Sequence, residues 1–261
     1  MCHAEAIKGV RNDDEGLEFG ALTIPAGNEQ MPAYLCRPAG SEPVPGVLII
    51  HDVWGANEFY QQLCRRLARE GFLALLPNLF FRAGELAEQT IDAARTRAAG
   101  IAEQQFWSDL DVAAGLLLGR GDVAPKRYGT IGFCMGGTLS IQMAQRRSEV
   151  GASVVYYGFP VNEQPRPGRE TSPIDDTDKI QSPMIGFWGD AEQSVKMPHV
   201  YQFRQRLQEL GKDAEVIVYP GAGHGFLAIR QAADAPAAED SWPKTVQFLN
   251  RHLKGAAVGA R

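Results

Sequence analysis

Short apolar runs alternate along the chain with segments whose apolar residues recur at helical spacing. Residues 46–50 (Gly-Val-Leu-Ile-Ile) form a continuous apolar run, which is typical of a strand buried on both faces of a sheet. Similar runs and alternating patterns between turn signals predict eight strands, at 17–24, 31–37, 46–50, 72–76, 127–131, 152–157, 184–188 and 214–219.

Apolar residues at helical spacing, with capping and stop residues, predict helices between these strands, at 57–70, 85–104, 106–118, 138–144, 200–210 and 241–253. Because strands and helices alternate, we expect an α/β fold with a mostly parallel central sheet flanked by helices. Residues 160–179 contain several prolines, glycines and acids and predict an extended surface loop. No linker is long enough to divide the chain, so we expect a single domain over residues 1–261 with its core at about 17–253.

The composition is ordinary for a globular protein, with 44% hydrophobic and 22% charged residues. The net charge of -5 gives no reason to expect nucleic acid or an anionic membrane as partner. The first 19 residues are mixed and charged, unlike a signal peptide, and no apolar run approaches membrane-spanning length. We therefore expect a cytoplasmic protein.

The four cysteines, at positions 2, 36, 64 and 134, have no CxxC pair and no regular spacing. We therefore expect neither a disulfide framework nor a metal site. The glycine-rich segments lack a dinucleotide fingerprint, so no organic cofactor is expected either. Cys36 and Cys64 are interpreted as small buried apolar residues, and only Cys134 has a context that indicates reactivity.

Cys134 lies in the pentapeptide Gly132-Phe133-Cys134-Met135-Gly136, between a predicted strand and a predicted helix. A Gly-x-nucleophile-x-Gly motif needs this strand–turn–helix context, because the sharp turn exposes the nucleophile beyond the sheet. Side chains two residues before and two after the nucleophile would obstruct such a turn, which explains the two glycines. The motif predicts that Cys134 is a nucleophile, with the start of the following helix favouring negative charge there.

A nucleophile of this kind requires an acid and a histidine base that the acid orients, and the three follow one another along the chain in the order nucleophile, acid, histidine. His224 lies in a glycine-rich loop directly after the last predicted strand, whereas His199 and His252 fall on predicted helices. Two acids, Asp190 and Glu192, follow the strand at 184–188. Both stay open as the orienting acid, although the Gly-x-x-acid spacing favours Glu192.

The oxyanion formed during such an attack is expected to bind backbone N–H groups. One is that of Met135, which follows the nucleophile, and the other is assigned to Val53, in the loop after the strand at 46–50. Asp52 in the same loop has two interpretations. Its carboxylate can hydrogen-bond the resting thiol of Cys134, or it can serve as a turn or helix-capping residue.

These residues together resemble the dienelactone hydrolase (carboxymethylenebutenolidase) family of α/β-hydrolases. The similarity runs from about residue 17 to 253 and is strongest in several separate motifs, at 47–57, 67–81, 132–137, 156–158, 189–192 and 222–226. The resemblance implies a Cys, acid and His triad, at Cys134, the acid turn and His224. The family has aspartate as the acid, whereas the gap-free alignment places Glu192 there.

The resemblance also suggests roles for one acid and two arginines. Well-known members have a glutamate at the position of Asp52, where it keeps the cysteine protonated until substrate binds. They hold the substrate carboxylate with arginines, for which Arg230 and Arg82 are the candidates in this chain. Independently of the resemblance, aromatic residues near the predicted site loops can line an apolar pocket, namely Trp54, Phe80, Phe81, Tyr156, Phe159 and Phe226.

The combined prediction is a hydrolase that cleaves a small ester or lactone through an acyl-cysteine intermediate, as a monomer or small homo-oligomer. A thiolate leaves a tetrahedral intermediate more easily than an alkoxide does, and cysteine is a poor source of the proton that an amine leaving group needs, which favours esters, lactones and thioesters over amides. A general carboxylesterase or thioesterase of the same fold is one alternative. A non-catalytic binding protein on this scaffold is another, since a fold alone does not determine function.

Overall fold

The computed structural model describes residues 14–164 and 171–255, and these contain eight strands and six α-helices. The strands are β1 (Leu17–Ala26), β2 (Glu29–Pro38), β3 (Val44–Ile50), β4 (Leu73–Pro77), β5 (Val123–Phe133), β6 (Val150–Tyr156), β7 (Met184–Gly189) and β8 (Ala214–Tyr219). The helices are α1 (Glu58–Arg69), α2 (Ile91–Ala99), α3 (Glu103–Gly119), α4 (Met135–Arg146), α5 (Met197–Glu209) and α6 (Asp234–Leu253).

All eight strands form one sheet in the order β1-β2-β4-β3-β5-β6-β7-β8. β1 pairs antiparallel with β2, and β2 pairs antiparallel with β4, whereas every pair from β4 to β8 is parallel. The expected α/β fold with a mostly parallel sheet is therefore confirmed. Because the strands from β4 to β8 run in one direction, the loops that follow them meet at a single edge of the sheet.

Helices cover both faces of the sheet, as two glycines show. Gly46 and Val47 are consecutive in β3 and so face opposite sides. A Cβ at Gly46 would lie 3.4 Å from Leu117 of α3. On the other face Val47 pairs with Gly129, where a Cβ would lie 2.9 Å from Leu253 of α6. α3 and α6 therefore pack against opposite faces of the sheet. Because Gly46 and Gly129 have no side chain, Leu117 of α3 and Leu253 of α6 can pack close to the backbone of the strands.

Several element boundaries differ from those expected. The helix expected at 85–104 is only α2, because Thr90 caps its start by accepting the Ala93 N–H at 3.2 Å and Gly100 ends it. The helix expected from 241 begins seven residues earlier, at Asp234, and contains Pro243. Part of the loop expected at 160–179 forms a 3₁₀ turn at Pro173–Lys179, and residues 165–170 lie outside the described residues.

The length and polarity of the described helices bear on whether one could span a membrane. None of those within residues 14–164 and 171–255 is long and apolar enough to cross a bilayer.

The β1–β2 hairpin is attached to α3 through Arg82. This guanidinium donates to Asp109 of α3 at 2.8 and 3.0 Å and to the Ala26 carbonyl at 3.3 Å, and it pairs with Glu29. Asp109 is 1% exposed, so its carboxylate depends on this partner and on Gln105 for compensation of its lost hydration.

We predict that Arg82→Met lowers the free energy of unfolding by about 3 kcal/mol or more, because it leaves the Asp109 carboxylate buried without its cation. Urea denaturation monitored by circular dichroism measures the loss. Arg147→Met is the matched control, because Arg147 pairs with Asp111 on the same helix and that carboxylate is 44% exposed. The control is expected to lose less than about 1 kcal/mol. Equal losses in the two variants would contradict a structural role for Arg82.

Candidate active site

Cys134 occupies the turn between β5 and α4 in a strained backbone conformation. Its φ of 54° and ψ of -116° lie outside the regions that residues with a side chain usually adopt. A Cβ at Gly132 would lie 2.0 Å from the Gly136 carbonyl oxygen, and one at Gly136 would lie 2.1 Å from the Ile50 carbonyl oxygen. Both glycines are therefore required by backbone packing around the turn.

The end of β6 connects Cys134 with the loop that carries His224. The Cys134 N–H donates to the Tyr156 carbonyl at 3.0 Å, which fixes the turn against β6. The next residue, Tyr157, has a φ of 42°, and its ring centroid lies 4.9 Å from that of His224. The aromatic ring of Phe159, a half-buried residue, lies 6.1 Å from the same imidazole.

His224 and Glu192 form the closest pair of ionisable groups in this region. Glu192 Oε2 lies 2.5 Å from His224 Nδ1, and the two side chains are 0% and 10% exposed. The other carboxylate oxygen accepts the Val195 N–H, which fixes its orientation. Because a carboxylate only accepts, Nδ1 is assigned the proton and Nε2 becomes the basic nitrogen. A buried carboxylate in this position stabilises an imidazolium when one forms.

Asp190, the other candidate acid, makes a different contact. Its Oδ1 accepts the Gly221 N–H at 2.6 Å, and its own N–H donates to the Tyr219 carbonyl at 3.1 Å. Asp190 is exposed and holds together the two loops that follow β7 and β8. The structure thus brings Glu192, rather than Asp190, to the imidazole.

The loop after β3 lies directly against the start of α4. A Cβ at Gly136 would lie 2.5 Å from the His51 carbonyl oxygen, so the two backbones are in contact. Asp52 is fully buried, and its Oδ1 accepts the Trp54 N–H at 2.8 Å, which stabilises the turn. The Val53 N–H has no acceptor among the residues that the structure describes.

The contact between this loop and α4 brings the two expected oxyanion donors, the N–H groups of Met135 and Val53, into the same region as Asp52. Met135 is the first residue of α4, where an N–H has no partner within the helix. The turn interpretation of Asp52 is supported by its bond to the Trp54 N–H and by the bond from the Gly55 N–H to its carbonyl at 3.2 Å.

The buried imidazole of His51 fixes the loop after β3 through two hydrogen bonds to backbone groups. Its Nδ1 lies 2.7 Å from the Asp52 carbonyl, and its Nε2 accepts the Leu79 N–H at 3.0 Å. This arrangement requires a neutral ring with the proton on Nδ1, since a proton on Nε2 would face the Leu79 N–H. Complete burial lowers the pKa of His51 to about 4, which keeps the ring neutral.

Two of the aromatic residues expected in a substrate pocket belong instead to the core. The Tyr156 ring is fully buried, stacks on Phe133 at 5.0 Å and donates or accepts a hydrogen bond with Thr245 of α6 at 2.8 Å. Phe226 is also fully buried and packs on Tyr219 and Tyr157 at 5.5 Å. The expectation that they line a pocket was wrong, because both rings face the packed interior beneath the site.

The other expected aromatic residues have mixed surroundings. Trp54 is 7% exposed, and its indole N–H has no hydrogen-bond partner among the described residues, so it stays a candidate for substrate contact. Phe80 is buried with its ring centroid 5.0 Å from that of His51, and the Arg97 guanidinium lies over the Phe80 ring at 4.2 Å. The half-buried Phe81 lies under the Arg82 guanidinium at 4.0 Å.

The two expected arginines differ in their surroundings. Arg82 is paired with Asp109 and Glu29, contacts that favour a structural role over its expected role in holding a substrate carboxylate. Arg230 is exposed, and its backbone N–H donates to Asp234 at 3.1 Å. It stays a candidate for binding an anionic group.

Three residues that contact the loops of the candidate site were given no role in the sequence analysis, namely His51, Tyr157 and Asp234. The run at 152–157 is apolar at almost every position and has no alternation to show which tyrosine faces the core. Asp234 was assigned to no element, although an acid at the start of a helix is a recognised signal.

Outside the site around Cys134 and His224, one cavity among the described residues could hold a small molecule. No cluster of three or more His, Cys, Asp or Glu residues within the described parts of the chain is arranged to bind a metal ion. A cavity of about 340 Å³ lies between α5 and the first half of β8, remote from His224, and is lined by Arg204, Leu207, Gln208, Ala214, Glu215 and Val216.

Known proteins resemble this chain over nearly all of its length. Residues 31–253 match the model of the Dienelactone hydrolase family. A Yersinia pestis protein named "Putative carboxymethylenebutenolidase" is 31% identical over 96% of this chain and 94% of its own length. An Escherichia coli K12 protein of the same name is 32% identical over 93% of this chain and 90% of its own length.

A solved structure agrees with these sequence relatives. The crystal structure of a "Putative Dienelactone Hydrolase" from Klebsiella pneumoniae superposes with a TM-score of 0.84 at 30% identity. The match covers 90% of this chain and 99% of that one.

The buried His51 is expected to make stability depend on pH. Since burial lowers its pKa from 6.5 to about 4, the folded state excludes a proton that the unfolded chain binds. This contribution to stability is complete above about pH 6.5 and is lost as the pH falls toward 4, by at most about 1.4 kcal/mol per pH unit.

Urea titrations from pH 7 to pH 4 measure this slope, with His51→Gln expected to remove part of it. His252→Gln is the matched control, because His252 is half-buried on α6 and most of the slope is expected to persist. The prediction fails if both variants keep the wild-type slope.

Proposed function

The chain belongs to the dienelactone hydrolase family, and we propose that it hydrolyses a small ester or lactone through Cys134, His224 and Glu192. The relatives named carboxymethylenebutenolidase support an enzyme that acts on ester or lactone bonds. The single observation that carries the assignment of residues is the 2.5 Å contact between Glu192 and His224, beside a strained turn that presents Cys134. A merely structural loop would not need a buried carboxylate aimed at a ring nitrogen.

In the first half of the reaction, His224 Nε2 takes the proton of Cys134 while Glu192 stabilises the imidazolium. The thiolate Sγ attacks the carbonyl carbon and forms a tetrahedral oxyanion. The ester C–O bond then breaks, and the leaving alkoxide takes the proton from His224. The product is an acyl-cysteine and a free alcohol, or, with a lactone, one chain that carries both groups.

In the second half, His224 takes a proton from water, and the resulting hydroxide attacks the acyl-cysteine. The C–S bond breaks, the carboxylic acid leaves, and Cys134 regains its proton. The two oxyanions are assigned to the N–H groups of Met135 and Val53. This assignment is supported by the contact between the two backbones and by the absence of an acceptor for the Val53 N–H among the described residues. Removing one such donor raises a barrier by roughly 3 kcal/mol.

The best substrate is a neutral or anionic oxygen ester rather than an amide. A thiolate leaves a tetrahedral intermediate more easily than an amide nitrogen does, so an amide would return to the starting material. The half-buried Phe159 supplies apolar surface beside the His224 ring, Trp54 is a second candidate for substrate contact, and the exposed Arg230 is the candidate partner for a carboxylate.

We predict that Cys134→Ala lowers kcat by roughly 10⁴-fold or more on any substrate that wild type hydrolyses. Initial rates with a dienelactone and with a short aryl ester measure the effect. Cys36→Ala is the matched control, because Cys36 is a buried thiol on β2, outside the proposed site. Turnover of the dienelactone supports the carboxymethylenebutenolidase activity, whereas turnover of the aryl ester alone indicates a general esterase. Equal rates in Cys134→Ala and wild type would exclude this nucleophile.

The two acids can be distinguished by isosteric substitution. We predict that Glu192→Gln lowers kcat by about 10²- to 10⁴-fold, because an amide neither fixes the tautomer nor stabilises the imidazolium. Asp190→Asn is expected to cost less than about 5-fold, since an amide oxygen can still accept the Gly221 N–H. Steady-state kinetics on one substrate measures both variants, and a larger loss for Asp190→Asn would reverse the assignment.

A further inference from the structure

A second carboxylate, Asp234, is buried directly behind the loop that carries His224. Asp234 is the first residue of α6 and is 2% exposed. Its Oδ1 accepts the Gly223 N–H at 2.9 Å and the Gln231 side-chain amide at 3.2 Å. Its Oδ2 accepts the Arg230 N–H at 3.1 Å and the Gln231 N–H at 3.2 Å. The carboxylate thus connects the two ends of the loop on either side of His224.

These bonds are unlike those of a residue that only starts a helix. A capping side chain accepts N–H groups of the helix that follows it, whereas all four donors to Asp234 precede it in the chain. One of the donors, the Gly223 N–H, is eleven residues upstream and belongs to the neighbour of His224. A buried carboxylate is costly unless its lone pairs are occupied, and here four donors occupy them. Its position is therefore explained by the loop and not by the helix.

The loop needs such a constraint because its own conformation is unfavourable. Ile229 has a φ of 50°, a region that β-branched residues rarely adopt, and the two N–H groups that follow it are both held by Asp234. Gly223 and Gly225 flank His224 and allow the backbone wide freedom, with Gly225 at a φ of 80°. On that side of His224, Asp190 holds the Gly221 N–H, and the bond from the Gly223 N–H to Asp234 fixes the residue directly before the imidazole.

We propose that Asp234 is a positioning residue that aligns His224 with Glu192 and Cys134. The proposal rests on the proposed function, in which His224 is the base. Asp234 touches no reacting atom. It acts by holding the Gly223 N–H and the Arg230–Gln231 backbone, so that Nδ1 stays within 2.5 Å of the Glu192 carboxylate.

The test is a double-mutant cycle in the full chain, with kcat and KM measured on an uncharged aryl ester. Asp234→Asn keeps the volume of the side chain but turns an amide N–H₂ toward the backbone donors, so two of its bonds are lost. We expect kcat to fall roughly 10- to 100-fold with KM changed less than about 3-fold, because misplacement of a base slows the chemical step. In the Glu192→Gln background the same substitution is expected to cost less than about 3-fold, since both changes act through His224.

Leu253→Ala is the control for stability alone. Leu253 is buried at the far end of α6, so the variant loses core packing without altering the loop. Its kcat is expected to match wild type at a temperature where all variants are folded by circular dichroism. The proposal is overturned if Asp234→Asn keeps the wild-type kcat, if its loss is the same in both backgrounds, or if Leu253→Ala slows turnover equally.

A measurement without substrate separates this proposal from the proposed function. The Nδ1 proton of His224, identified by its loss in His224→Gln, is expected as a downfield NMR resonance because its hydrogen bond is short. We expect Asp234→Asn to shift or broaden this resonance and Leu253→Ala to leave it in place. If wild type shows no Cys134-dependent hydrolysis, the proposed function fails, and the resonance alone decides the role of Asp234. An unchanged resonance in Asp234→Asn overturns that role.

Discussion

The turn from β5 into α4 is so tight that backbone atoms pack directly against one another and leave no room for side chains at its two glycines. The carbonyl of Gly136 occupies the place where a side chain at Gly132 would stand, and the carbonyl of Ile50 occupies the place of one at Gly136. Cys134 is held at a φ of 54° by these contacts and by the bond from its N–H to Tyr156. Such strain costs about 1–3 kcal/mol, and the surrounding sheet must supply it. The parallel strands on either side of β5 do so, because they leave the turn no alternative path.

The elements on which this turn depends could be predicted from the sequence, because each has a local signal. The apolar run at 46–50 and the glycines around Cys134 indicate a buried strand and a sharp turn without reference to any distant residue. The early start of α6 could not be predicted in this way. Pro236 and Pro243 interrupt its pattern, yet the helix continues through them, since one lies in the first turn and the other is compensated by packing along the sheet.

The carboxylates near the site show where sequence reasoning reaches its limit. Asp190 and Glu192 both lie at or after the end of β7 and between Cys134 and His224 in the chain, so by position either could orient the imidazole. Only the packed structure shows that Glu192 contacts His224, while Asp190 and Asp234 accept backbone N–H groups of the same loop. The reason is that the partner of each carboxylate lies far away in the sequence, at a separation of 11 residues for Asp234 and Gly223 and of 32 for Glu192 and His224. Tyr156 and Tyr157 present the same difficulty. Successive side chains of a strand face opposite sides of the sheet, and a run that is apolar at almost every position does not reveal which side each tyrosine faces.

The loops of the site are positioned mainly by polar contacts rather than by apolar packing. They are rich in glycine and offer little apolar surface, so buried groups fix them instead: His51 under the loop after β3, and Asp190 and Asp234 on the loop after β8. Hydrogen bonds have directions, which apolar contacts lack, and a nucleophile and base must be aligned within a fraction of an ångström. The reliance on buried polar groups also makes stability depend on pH, because His51 must stay neutral for its bonds to persist and burial lowers its pKa. The alignment that the chemistry needs and the stability that depends on pH therefore have a common origin in buried polar groups.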